Sequence, residues 1–181
     1  MFTRALTTFL ALGAILLLLV AALGFVVVTG ARRSGRLAGW RDAVVASIGP
    51  IALPAAWLVA ATATAGSLYY SEVAGYLPCE FCWYQRIAMY PLALVLAIAA
   101  WKKDRAIGRY AIPLAGAGAA LATYHYLMQH FPNLATGSCS ATAPCTAAWV
   151  WEFGFVSIPL MALACFLTIT WLLAVARAHR A

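Results

Sequence analysis

Charged residues fall in short clusters along this chain, and long apolar stretches run between them. A bilayer core of about 30 Å takes roughly 20 helical residues, so an uncharged run of about 18 or more is a candidate span. Ala5 to Ala31 is such a run, dense in Leu, Val and Ala. Ala43 to Ser71 is a second, with Pro50 and Pro54 near its start. Tyr110 to Phe131 is another, polar only at Tyr124, His125, Tyr126, Gln129 and His130. Gly154 to Ala176 is the last, with Pro159 near its beginning. The run from Ile87 to Trp101 has only 15 residues, roughly 22 Å of helix at about 1.5 Å per residue. Snorkelling Lys102 and Lys103 would lengthen it. Drawing Cys82 to Arg86 into the boundary does so better, because Trp83 and Tyr84 suit the membrane interface. Arg86 then sits just inside the membrane edge. The pattern predicts an all-α, polytopic membrane protein with five spans and short connecting loops.

Composition agrees and narrows the class. At 181 residues, 65% apolar and 9% charged, the chain is far from a soluble domain, which runs nearer half apolar and a quarter charged. A disordered chain, a collagen-like fibre and a large multidomain enzyme are excluded as well.

The net charge of +7 raises nucleic acid as a partner until the charges are placed. Segment 32–42 holds Arg32, Arg33, Arg36 and Arg41; segment 102–109 holds Lys102, Lys103, Arg105 and Arg109; the tail adds Arg177 and Arg180. These are ten of the twelve basic residues, and segments 72–81 and 132–153 have none. By the positive-inside rule the basic segments are cytoplasmic and the other two loops face outward. The N-terminus is then outside and the C-terminus inside. Orientation accounts for the charge, and nucleic acid is not needed. The first run exceeds a signal-peptide core and is followed by ARRSGR, a stop-transfer flank, which favours a retained helix. We divide the chain into residues 1–42, an N-terminal span with its basic loop, and 43–181, a four-span domain.

The outward loops carry four of the five cysteines. Cys79 and Cys82 form C-x-x-C in LPCEFCWYQR, where a loop enters a span. Pro78 marks a helix start, so both cysteines are expected in the first helical turn. There the N–H groups and the dipole stabilise a thiolate, the species that attacks disulfides. Arg86, four residues after Cys82, shares its helix face. A guanidinium at the membrane edge is costly and points to function. It can stabilise a thiolate or donate to an oxygen of a lipid-soluble acceptor. Cys139 and Cys145 lie in GSCSATAPCTAAW and can close into a disulfide with little strain, the default in an oxidising compartment. Trp149, Val150, Trp151, Phe153 and Phe155 are expected to lay this loop along the interface, close to the first pair.

Other readings compete. Four outward cysteines could bind zinc, but C-x-x-C with C-x₅-C is not a zinc spacing and no metal is expected. The pairs could be structural staples of a membrane scaffold. An outward-directed thiol reductase would need a thiol in the membrane or on the cytoplasmic side, where only Cys165 is available. Cys165 reads most simply as a buried apolar residue. His125, in TYHYL, is a candidate to hydrogen-bond a bound acceptor. No G-x-G-x-x-G is present for a soluble dinucleotide.

CEFCWYQRIAMYPL, then a second cysteine pair, then WEFGFVSIPLMALACF resemble the DsbB/BdbC disulfide bond formation family over roughly Val45 to Ala176. The short second spacing looks more like the BdbC branch. The order of the pairs argues against the related vitamin K epoxide reductase family. The resemblance implies a DsbB-type four-helix transmembrane bundle, to which this chain adds one N-terminal helix. It implies a quinone-dependent thiol oxidase of the bacterial cytoplasmic (inner) membrane that supports disulfide bond formation. Its partners would be a DsbA-like thioredoxin-fold oxidase and the membrane quinone pool, with ubiquinone or menaquinone as acceptor. Cys139–Cys145 would be the disulfide attacked, Cys139 forming the mixed disulfide. Cys79–Cys82 would be the quinone-proximal pair, with Cys82 contacting the quinone and Arg86 positioning it.

Overall fold

The computed structural model describes residues 2–31, 35–134, 139–140 and 142–179. Six helices account for most of them: α1 (Phe2–Gly30), α2 (Gly35–Ile48), α3 (Ala52–Leu68), α4 (Glu80–Lys102), α5 (Gly108–His130) and α6 (Ile158–Ala178). The described residues contain one isolated β-bridge, Glu152 to Val156, and no extended sheet. The all-α, polytopic membrane class is correct.

The second apolar run does not form one helix. α2 ends at Ile48, Gly49 and Pro50 turn the chain, and α3 starts at Ala52 with Pro54 in its first turn. A proline is accepted there because its missing N–H has no intrahelical partner. Segment 32–42, expected to be a connecting loop, is helical from Gly35 onward, so α2 continues across position 42. At its other end α3 passes into a π turn, Tyr69–Val73, closed by the Ala74 N–H donating to the Tyr69 carbonyl at 2.9 Å.

α1, α3 with its π turn, α4 and α6 are long and apolar enough to cross a membrane. α5 matches α4 at 23 residues but lies outside that set. Its Gly, Tyr, His and Gln residues dilute the apolar character, so four helices among the described residues meet this measure where the sequence pattern predicts five spans. α5 nevertheless packs between α4 and α6, burying Gly108, Ala111, Ala115, Gly118, Ala122 and His125 along one stripe. Small side chains let membrane helices approach closely. At Gly118 the approach is closest: a Cβ there would lie 2.3 Å from the Phe166 ring of α6.

α6 is the most buried of the spans, with Phe166, Ile169 and Leu173 in the core shared with α3, α4 and α5. It begins later than the apolar run, because residues 152–156 form a tight bridged turn with Phe153 and Gly154 at positive φ. α1 packs on α6 through small residues, including Ala11, Ala14, Ala21 and Gly24.

Candidate active site

Helix α4 begins at the C-x-x-C sequence, but Cys79 is its N-cap rather than part of its first turn. The Cys79 backbone is extended (ψ 174°), and its sulfur accepts from the Cys82 N–H at 3.4 Å. The side chain therefore does for the helix what serine or aspartate does at other N-termini, satisfying an N–H that has no intrahelical acceptor. The two sulfurs are 3.0 Å apart. The hydrogen bond from the Cys82 thiol pulls the Cys79 thiol well below the ordinary range, to about 4, against the opposing effect of burial. The hydrogen bond from His125 adds to the lowering.

His125 comes from α5 and is 1% exposed. Its Nε2 lies 3.5 Å from the Cys79 sulfur and 3.2 Å from the Cys145 carbonyl oxygen. Its Nδ1 is 2.9 Å from Gln85 Nε2. With the Gln85 amide donating to Nδ1, as this network assigns it, the ring proton belongs to Nε2. One imidazole edge thus joins the C-x-x-C pair to the loop pair.

Cys139 and Cys145 form a disulfide with Cα atoms 5.8 Å apart. Cys145 is buried beside Cys79 and Met128, whereas Cys139 is half-buried. Trp149 ties the loop down. Its ring stacks on Tyr76 at 5.4 Å, and its Nε1 donates to the Leu77 carbonyl at 3.2 Å. Val150 is buried, while Trp149, Trp151, Phe153 and Phe155 remain about half exposed. The loop pair is held close to the first pair, as expected from sequence.

On the other side of Cys82 lies a cavity of about 220 Å³ among α1, α3, α4 and α6. Its walls are hydrocarbon apart from a few groups, among them Cys82, Gln85 and Arg86. Arg86 is 9% exposed. Its Nε donates to Ser67 Oγ and its Nη2 to the Ser67 carbonyl, each at 3.0 Å, and its guanidinium lies 5.1 Å from the centroid of the Trp83 ring. These contacts fix the guanidinium plane and leave Nη1 over.

All six residues singled out from sequence fall within this region, in two groups. Cys79, Cys82, Cys145 and His125 converge, with Cys139 bonded to Cys145. Arg86 and Cys82 share the cavity. His125 does not line it, because Gln85 and the cysteines hold the ring on the far side of α4. Cys165 also lines the cavity. Sequence reasoning missed Gln85 and Ser67. Gln85 could have been found, since Cys82, Gln85, Arg86 and Met89 follow helical spacing on one face, and all four line the cavity. Ser67 had no signal, being 19 residues from Arg86. The donor atoms of Cys79, Cys82 and His125 lie within 4.8 Å of one another, a set able to hold a metal ion although the sequence spacing pointed away from one.

The family model of disulfide bond formation protein DsbB matches residues 50–176. The chain belongs to the DsbB family. A "Probable disulfide formation protein" of Oceanobacillus iheyensis is 50% identical over 116 residues, covering 62% of this chain and 79% of the relative. "Disulfide bond formation protein C" of Bacillus subtilis is 44% identical over 118 residues, covering 65% and 86%. A "Probable disulfide formation protein" of Coxiella burnetii is 41% identical over 123 residues, covering 67% and 84%. No solved structure matches. Membership in the DsbB family makes this multi-pass membrane protein a disulfide oxidoreductase. The matched region begins at the turn before α3 and leaves α1 outside it.

Proposed function

We propose that the protein is a quinone-dependent thiol oxidase, which reoxidises a DsbA-like thioredoxin-fold partner at the outer face of the bacterial cytoplasmic (inner) membrane. The observation that carries this reading is a continuous path. The loop disulfide, His125, Cys79, Cys82 and the apolar cavity beside Arg86 follow one another in contact. In this reading α5 crosses the membrane with the other spans, and the basic segments lie on the cytoplasmic side. α1 is an addition to the DsbB-type unit.

The redox steps balance as thiol–disulfide exchange. A partner thiolate attacks Cys139, the more accessible sulfur, forming a mixed disulfide and releasing Cys145 as thiolate. The second partner thiol resolves it, leaving an oxidised partner and a reduced loop pair. The loop dithiol then reduces the Cys79–Cys82 disulfide by the same exchange. Across that step His125 can move a proton between its Nε2 and the Cys79 sulfur.

The cavity fits a quinone by its chemistry: hydrocarbon walls for a lipid-soluble ring, with the thiols of Cys82 and Cys165 and the Arg86 guanidinium among them. A quinone, ubiquinone or menaquinone, supplies the acceptor for two electrons and two protons when bound. Cys82 presents the sulfur on the cavity side. Arg86, anchored by Ser67, has donors left to hold an acceptor oxygen. Cys79 keeps its thiolate at the helix N-terminus, ready to re-form the Cys79–Cys82 disulfide as the electron pair leaves.

The test is a coupled assay of the purified protein with a reduced thioredoxin-fold oxidase and a short-chain quinone. Quinol should form in step with partner oxidation. Cys82→Ser and Arg86→Ala should abolish or sharply reduce quinol formation, and unchanged quinone reduction in both would sink the mechanism. A membrane scaffold with inert disulfides would show no thiol exchange at all.

A further inference from the structure

α1 forms one side of the acceptor cavity, although it lies outside the region that matches the family. Phe9, Leu10, Gly13, Ala14 and Leu17 all line it, opposite the face of α4 that carries Cys82 and Arg86. Specific contacts fix the helix there. Tyr70 donates to Thr7 Oγ1 at 3.2 Å beside the cavity, and Thr168 of α6 donates to the Leu17 carbonyl at 3.2 Å. Further along, Gly24 lies against the Trp171 indole so closely that a Cβ would fall 2.2 Å from its Nε1. These contacts leave little freedom for α1 to slide or rotate.

Gly13 is the informative position. A Cβ built there meets nothing within 4 Å. In a helix that packs through small residues elsewhere, this glycine is exposed and borders the open side of the cavity, with no neighbouring helix against it. The lining also extends outward to Phe9, which is 71% exposed. The cavity therefore reaches from the Cys82 thiol to the surface of the bundle along α1.

We propose that α1 is a binding element for the lipid-soluble quinone, with Gly13 leaving room for its apolar part and Leu10 and Leu17 flanking it. This deepens the quinone reading above and rests on it. Thiol exchange at the loop pair does not involve α1, whereas affinity for the acceptor does.

The test uses the full-length chain with decylubiquinone as acceptor. Gly13→Phe places a ring across the open side of the cavity, and Leu12→Phe adds the same ring at a neighbouring position that is 54% exposed and outside the lining. Gly13→Phe should raise KM for decylubiquinone about tenfold, equivalent to roughly 1.4 kcal/mol of binding. Single-turnover oxidation of the partner dithiol by the loop disulfide, without quinone, should be unchanged. Leu12→Phe should alter neither. A photoreactive azidoquinone should label the α1 peptide in the wild type, a result that does not depend on how Gly13→Phe folds. An active wild type with no α1 label and a Gly13→Phe KM within about twofold overturns the role of α1. A wild type that neither reduces decylubiquinone nor takes the azidoquinone label overturns the quinone reading itself.

Discussion

His125 Nε2 lies 3.5 Å from the sulfur of Cys79, with the ring wholly buried. The contact places a proton donor from α5 on the cysteine that caps α4. A helix N-terminus already favours the thiolate. The imidazole adds a second source of the same preference and links it to the loop pair through the Cys145 carbonyl.

The thiolate of Cys79 should persist far into acid. Its pKa is lowered to about 4, first by the Cys82 thiol and then by His125. Above that value the group is mostly ionised, so reactivity should stay level from about pH 5 to 8. An ordinary thiol instead gains reactivity up to about 8.5. Alkylation by a small reagent, followed by mass spectrometry in a Cys82→Ser background that retains a donor hydroxyl, measures this. His125→Ala should move the onset of reactivity upward.

Ser67→Ala should impair quinone use without touching the partner reaction. It removes the acceptor for Arg86 Nε but leaves the carbonyl that holds Nη2. A hydrogen bond to a charged group is worth about 1.5–3 kcal/mol, so KM for quinone should rise by about tenfold or more. Steady-state kinetics with quinone varied, set beside single-turnover exchange with the partner, separates the two effects.

Trp149→Ala should uncouple the pairs. It removes both the stack on Tyr76 and the bond to Leu77 that hold the loop beside Cys79. Reduced Cys139 and Cys145 should accumulate while the Cys79–Cys82 disulfide persists, as acid-quenched thiol trapping would reveal. Equal reduction of both pairs on the wild-type time course would count against this role for Trp149.

Packing of α5 on α6 should fail at Gly118 and tolerate change at Gly116. A Cβ on Gly118 meets the Phe166 ring at 2.3 Å, whereas one on Gly116 meets nothing within 4 Å. Gly118→Ala should therefore cost about 1–3 kcal/mol through overpacking, and Gly116→Ala little. Thermal unfolding in detergent compares them.

Zinc should inhibit only when Cys79 and Cys82 are reduced. Both thiols and His125 then offer ligand atoms within 4.8 Å of one another, and a disulfide removes two of the three. Chelators should leave electron transfer intact, because thiol exchange needs no metal. Activity that depends on bound zinc would assign the cluster a different task.

The sequence made the spans legible where apolar residues run unbroken between charges, and it made the cysteine pairs legible through motif and spacing. The arginines of α2 interrupt the apolar count, so charge pattern alone makes a loop of its first half. Leu37, Trp40, Val44 and Ile48 nonetheless recur at helical spacing. The π turn after α3 left no comparable mark. Whether His125 would face the cavity or the cysteines depended on how α5 rotates against α4, which its own residues do not determine. The same holds for α1, whose cavity face is defined only by its packing on α6 and by its contacts with Tyr69 and Tyr70. Contacts within one helix follow from periodicity, whereas contacts between helices far apart in sequence do not.

The capping role of Cys79 ties bond chemistry to the mechanics of a membrane helix. The sulfur that closes the Cys79–Cys82 bond is also the anion that terminates α4. Oxidation discharges that terminus and reduction recharges it, in a setting where N-cap contacts are worth about 0.5–2 kcal/mol. α4 also carries Cys82 and Arg86 to the cavity. Each turnover therefore changes the electrostatic load at the head of the helix that carries Cys82 and Arg86, and the redox state of the pair is coupled to the stability of that helix's first turn.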